Sequence, residues 1–177
     1  EQLVKRGEKI IYTGQAEEAI KLLHQAKTQL REIVRNISLN AKVRKDYFTT
    51  QMLLVRSYME NGNDQKSRQI MTEIVRQFED EFPVTTDNYH PKVVDLYKEV
   101  FGSLKDQRTA AVTITTNPPG CEVYINGRAM KQKTPFTYKG LYPGALHVQV
   151  RKGELQSMVR KSDVAEKTTA KLDIDLE

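Results

Sequence analysis

The chain has 177 residues, 38% hydrophobic and 29% charged, with a formal net charge of +5. That balance excludes a disordered chain, and no stretch approaches the roughly 20 apolar residues that a spanning helix needs. The charge is spread: residues 1–108 hold eighteen Lys/Arg against sixteen Asp/Glu, and residues 109–177 hold ten against seven. With no basic stripe and no groove-reading motif, nucleic acid is not an expected partner.

The chain opens at Glu1 inside a helical pattern and without an initiator Met, so it reads as a mature form or a fragment. The lack of a signal peptide therefore says nothing about export. Up to about Arg108 the apolar residues recur every three to four positions, the period of helices that bury one face. Gly7, Ala19 and Ala26 are small, which lets two antiparallel helices approach closely. Gly14 allows a left-handed cap, and Gln15-Ala16-Glu17-Glu18 opens a second helix, expected to run from Ala16 to Ile37, with acids at its positive end. Leu3, Gly7, Ile10, Gly14, Ala19, Leu23 and Ala26 stand at offsets that resemble a tetratricopeptide repeat. A weaker copy spans Phe48 to Phe78, with Val55, Tyr58, Gly62, Ser67, Met71 and Ile74 in matching places and Asn61-Gly62-Asn63-Asp64 as the turn. The turn glycines lie 48 positions apart, against a repeat period of about 34. A compact tetratricopeptide-like bundle is therefore expected in place of a regular superhelix.

A third helical segment starts at Pro91, suited to the first helical position, and carries Val93, Tyr97, Val100, Phe101 and Leu104 as one stripe. Tyr89-His90-Pro91-Lys92-Val93-Val94 resembles a segment that joins such helices to a β-domain in bacterial envelope proteins. Ser103 to Arg108 forms a short polar joint, where the period changes from helical to two.

The second half reads as strands: 112–116, 122–126, 146–152, 156–161 and 168–176, with a short one at 136–138. Leu172, Ile174 and Leu176 alternate with Asp173, Asp175 and Glu177, giving a buried and a wet face. Pro118-Pro119-Gly120 reverses the chain before Cys121, and Asn126-Gly127 supplies the φ > 0 pair of a two-residue hairpin. Five to seven strands in so short a span imply two packed sheets. Tyr124, Phe136, Leu141, Tyr142 and Val148 are the expected core. These turns, with Thr134-Pro135-Phe136 and Leu141-Tyr142-Pro143-Gly144-Ala145-Leu146-His147-Val148, resemble a PEGA domain over Thr109 to Glu177. The resemblance implies a small β-sandwich of an extracytoplasmic type. The expected fold is thus α+β: an all-α tetratricopeptide-like bundle at 1–108, then a small antiparallel PEGA-like sandwich at 109–177.

Catalytic chemistry has little to stand on. His24, His90 and His147 lie in different elements without metal-ligand spacing. His24 reads as a solvent-facing helix residue, His90 as a cap before Pro91, and His147 as a half-exposed strand residue. Cys121 is the sole cysteine, so no intrachain disulfide forms. It could pair with His147 as nucleophile and base, but a small buried residue is the reading that the PEGA resemblance favours. Glu79, Asp80 and Glu81 read as a solvated helix end. No glycine-rich phosphate loop occurs. The expectation is a non-enzyme with no cofactor, no metal and no catalytic residues.

What remains is a binding surface. Tetratricopeptide-like pairs line a groove for extended peptides or partner helices. Lys5, Lys9, Tyr12, Arg44, Gln51, Arg56 and Tyr58 are the groove candidates, on or near the first helix of each pair. The resemblances imply a non-catalytic protein–protein interaction or scaffold protein of the bacterial cell envelope. Its helical half would dock a protein partner, and its β-half would act as spacer or anchor, with cell-wall contact a further option. The alternatives are a peptidoglycan- or carbohydrate-binding module, weakened by the absence of Trp, and the sensory region of a larger signalling protein. The expected location is the periplasm or envelope, with the cytoplasm as the alternative.

Overall fold

The computed structural model describes residues 2–36, 41–157 and 159–176. Among them are five α-helices followed by strands in two sheets, an α+β layout. The chain divides into two compact units, Glu1–Ser103 and Leu104–Glu177.

In the first unit, α1 (Gln2–Ile11) and α2 (Ala16–Asn36) form an antiparallel pair, then α3 (Ala41–Glu60) and α4 (Asp64–Phe78) form another, and α5 (Pro91–Leu104) follows. Ile37, where the α2 pattern was expected to end, lies outside the described residues, as do Glu1 and Glu177. The α1–α2 seam depends on Gly7: a Cβ there would meet Leu23 Cγ at 2.9 Å. Gly14, at φ +76°, closes the α1–α2 turn. Asn63 caps α4, its side chain accepting from the Lys66 N–H, which satisfies one orphan donor of the first turn. The 48-residue glycine spacing has a direct cause: α2 and α3 are 21 and 20 residues long.

Helix α3 is the centre of this unit, packed against α2 and α4 and touching α1. Its buried side chains include Phe48, Met52, Leu54 and Val55, but also Arg44, Thr50, Gln51 and Ser57. Thr50 and Ser57 are satisfied by donating to the Asp46 and Leu53 carbonyls. Phe48, Phe78, Phe82 and Tyr89 form an aromatic cluster with centroids 4.8–6.3 Å apart. It binds the segment between α4 and α5 to the bundle, an arrangement in which tilted and edge-on rings attract beyond their area burial.

A short 3₁₀ turn (Lys105–Gln107) precedes the strands. They are β1 (Ala110–Asn117), β2 (Glu122–Ile125), β3 (Arg128–Lys133), β4 (Phe136–Leu141), β5 (Gly144–Lys152), β6 (Leu155–Gln156), β7 (Arg160–Val164) and β8 (Thr169–Asp175). One sheet has the order β4-β1-β8 and the other β3-β2-β5-β6, with β7 also pairing β5. Val112, Ile114 and Ile174 from the first sheet share one core with Val123, Ile125, Leu146, Val148 and Val150 from the second.

Four features differ from the sequence reading. The Asn126-Gly127 turn leads into β3, which the sequence reading left out. Its residues Arg-Ala-Met-Lys-Gln-Lys lack β-branched and aromatic side chains, so the turn alone signals it. The span 156–161 divides between β6 and β7. Strand β8 pairs β1 in parallel, register Ala111↔Thr169 to Asn117↔Asp175, while the other pairings are antiparallel. Finally, Leu141 and Val148 are buried as expected, but Tyr124, Phe136 and Tyr142 are only partly so. Side chains alternate along a strand: Cys121, Val123 and Ile125 point inward, so Tyr124 must face outward with Glu122. Burial pushes the Tyr124 hydroxyl pKa up, Arg151 opposes this, and Glu122 adds to it.

Candidate functional site

The seven groove candidates fall into three groups. Arg44 and Gln51 belong to the interior, as a direct consequence of α3 lying at the centre of the bundle. Arg44 is 4% exposed. Its Nε donates to Glu81 Oε1 at 2.8 Å, its Nη2 donates to Oε2 at 2.7 Å, and its Cζ lies 4.8 Å from the Phe78 ring centroid. This two-pronged, stacked geometry suits a planar guanidinium and not an ammonium. Glu81 is therefore an ion-pair partner, not part of a solvated helix end. Gln51 is 1% exposed, and its Nε2 has no hydrogen-bond partner among the described residues. Neither side chain is presented to a ligand.

Tyr58 forms the second group. It is half-buried, and its hydroxyl lies 2.9 Å from His24 Nε2 across the α2–α3 interface. His24 is thus an internal partner and not the solvent-facing residue of the sequence reading. Burial lowers its pKa, and Lys27 and Lys66 lower it further. His90 Nδ1 accepts from the Lys92 N–H at 3.3 Å, as a cap would.

Lys5, Lys9, Tyr12 and Arg56 form the third group. Lys5 and Lys9 follow i, i+4 spacing, which puts them on one face of α1, opposite buried Gly7 and Ile11, and Tyr12 follows in the turn. Thr13 and Gly14 donate from their backbone N–H groups to Ile10 and Ile11 and hold the turn beside Tyr12. Tyr12 is 68% exposed. Arg56 of α3 reaches across and places its Cζ 4.7 Å from the Tyr12 ring centroid. The Arg56 Nε is out of water and has no hydrogen-bond partner among the described residues, although Glu60 Oε1 lies 3.7 Å away. The i,i+4 spacing of Arg56 and Glu60 was the available signal for that neighbour. The arrangement joins an exposed ring and an oriented guanidinium, with Lys5 and Lys9 exposed on the preceding helix, which is the chemistry of recognition through charge and stacking.

In the second unit Cys121 is fully buried, its Sγ donating to the Pro118 carbonyl at 3.1 Å. His147 is half-buried on β5, its backbone N–H donating to Asn126 Oδ1. Among the described residues no group of three or more His, Cys, Asp or Glu is placed to hold a metal, and no helix is long and apolar enough to cross a membrane. No curated protein matches the chain. No tetratricopeptide family model supports the helical half. The second half does match a family: residues 109–177 fit the model of the PEGA domain, a generally periplasmic or extracellular domain of uncertain role.

Proposed function

We propose that this chain is a non-catalytic interaction protein of the cell envelope, with the helical unit docking a protein partner through the Tyr12–Arg56 face. The PEGA domain then serves as spacer or anchor, and its usual extracytoplasmic occurrence favours the periplasm or envelope as the location. One observation carries the reading: a tyrosine left 68% exposed while an arginine from another helix holds its ring. Tyrosine and arginine are among the residues that most often concentrate binding energy at interfaces, the tyrosine ring by large contact area with few torsions to freeze and the guanidinium by its planar fork of donors.

The test is retention of envelope proteins by the immobilised full-length chain, compared with Tyr12→Ala and Arg56→Ala. Partners held by the parent and lost by both variants support docking at this face. Partners retained equally by all three, or retention of peptidoglycan fragments unaffected by either change, would move the function to the β-unit.

A further inference from the structure

We infer that the Tyr12–Arg56 face takes an acidic, extended polypeptide segment, with carboxylates toward Arg56 and the α1 lysines and an apolar side chain over Tyr12. This deepens the docking reading above and rests on it. Among the described residues only Tyr12 and Leu155 are large hydrophobics classed as exposed, at 68% and 43%. No packing role accounts for the Tyr12 ring: Arg56 covers one part of it and the remainder meets water.

Arg56 is already prepared for an anion. Its Nε is desolvated and lacks a hydrogen-bond acceptor, while Glu60 at 3.7 Å balances charge without reaching bonding distance. Nε itself is covered, so an arriving carboxylate meets the guanidinium through the 20% of the Arg56 side chain that stays exposed and gains a charge-assisted bond there. Helix α1 extends the attraction, with Lys5, Arg6 and Lys9 against Glu8. Arg6 reaches Glu18 at only 4.0 Å, with both side chains largely exposed, so that pair neutralises little. From Lys5 to Ile11, the last helical residue before Tyr12, is six residues of helical rise, roughly 9 Å, which an extended strand covers in about three residues. Acidic residues about three apart, bracketing one apolar residue, therefore match the face.

The same geometry argues against other anions. A membrane surface recognised by charge needs clusters of about four to eight cations, and here Glu8 and Glu60 are interspersed among Lys5, Arg6, Lys9 and Arg56, leaving a small net charge. A nucleic-acid backbone meets the same obstacle.

The probe is a random copolymer of glutamate and tyrosine, titrated into the full-length chain by NMR. A lysine–tyrosine copolymer, dextran sulfate and phosphatidylglycerol vesicles serve as comparators. The expected result is saturable shifts confined to amides of 5–12 and 53–60. Affinity should fall at least about fivefold in Tyr12→Ala and in the Lys5→Glu/Lys9→Glu double variant. It should also weaken as salt rises from about 0.05 M to about 0.5 M. Arg56→Lys keeps the charge but loses the fork, so it should bind between parent and Arg56→Ala, which separates recognition from misfolding.

Absence of saturable binding overturns the inference. Equal or tighter binding of dextran sulfate or vesicles at the same amides does so too. If Tyr12→Ala releases a captured protein partner while salt and the lysine reversals do not, docking stands and the acidic ligand is wrong. If the copolymer binds as described but no protein partner depends on Tyr12, the acidic site stands and the docking reading fails.

Discussion

The two ends of α3 carry the same interaction with opposite consequences. Near its start, Arg44 lies 4.8 Å over Phe78; near its end, Arg56 lies 4.7 Å over Tyr12. The first is buried and bonded to Glu81 by both Nε and Nη2. The second has an exposed ring, and its Nε has no hydrogen-bond partner among the described residues. Arg44 lies beside the segment that leads from α4 to α5, so its guanidinium is consumed in holding that segment. Tyr12 sits in the turn after α1, so Arg56 has one ring to hold and unused hydrogen-bonding capacity. An arginine over an aromatic ring is therefore structural or available for recognition according to what fills its remaining donors.

The sharpest way to break the comparison is Arg44→Ala. Removing one partner of a buried, forked ion pair leaves Glu81 short of its acceptor bonds, and the helical unfolding transition should lose about 3 kcal/mol. Arg44→Lys should recover only part, since an ammonium cannot make the fork. Denaturant titration followed by helix signal reads both. Equal losses in Arg44→Ala and Arg56→Ala would erase the distinction.

Arg56→Ala should instead cost no more than about 1 kcal/mol of stability, while lowering partner affinity by about 1–2 kcal/mol. Stability from denaturation and affinity from titration, measured on the same variant, should part in that way.

Gly7→Ala asks whether α1 must be seated closely for Tyr12 to meet Arg56. The added methyl meets Leu23 at 2.9 Å, and the overpacking cost of about 1–3 kcal/mol is partly offset by a helix-propensity gain of about 0.5–1 kcal/mol. A net loss of about 1 kcal/mol is expected, with altered Tyr12 and Arg56 resonances. A stabilised variant with unmoved resonances would show that the seam tolerates the methyl.

The smallest effect concerns His24 of α2, which meets Tyr58 near the C-terminal end of α3. Its folded pKa lies below the ordinary value, first through burial and then through Lys27 and Lys66. Below about pH 6.5 the unfolded chain takes up this proton first. Stability from this group is therefore complete above that pH and is lost as pH falls toward the folded pKa. The parent should lose more stability than His24→Gln between about pH 7.5 and about pH 5.5, and parallel curves would assign the pH response to other groups.

Sequence reasoning fared differently on two helices of the same unit. On α1 the spacing of Lys5 and Lys9 against Gly7 and Ile11 already separated a wet face from a packed one, because α1 has an open side. On α3 the same logic assigned Arg44 and Gln51 to a groove, yet both are buried. A helix with neighbours on several sides has no polar face to read, so polarity no longer reports exposure. In the β-unit, alternation along β2 could have placed Tyr124 outward once Cys121 was read as buried. β3 carried no signal in its own six residues, which are strand by pairing with β2, and only the Asn126-Gly127 turn pointed to it.

By itself, then, the sequence determined the change of period near residue 108 and the turns at Gly14, Gly62 and Asn126-Gly127. All of these are local, set by φ freedom and apolar periodicity over a few residues. Tertiary structure alone decided that Glu81 closes on Arg44 across 37 positions, that Tyr58 meets His24 across 34, and that β8 returns parallel to β1. It also decided that Arg56, 44 positions beyond Tyr12, comes to lie over its ring. Such pairs depend on which faces the packed elements turn to each other, and no short-range pattern encodes that choice.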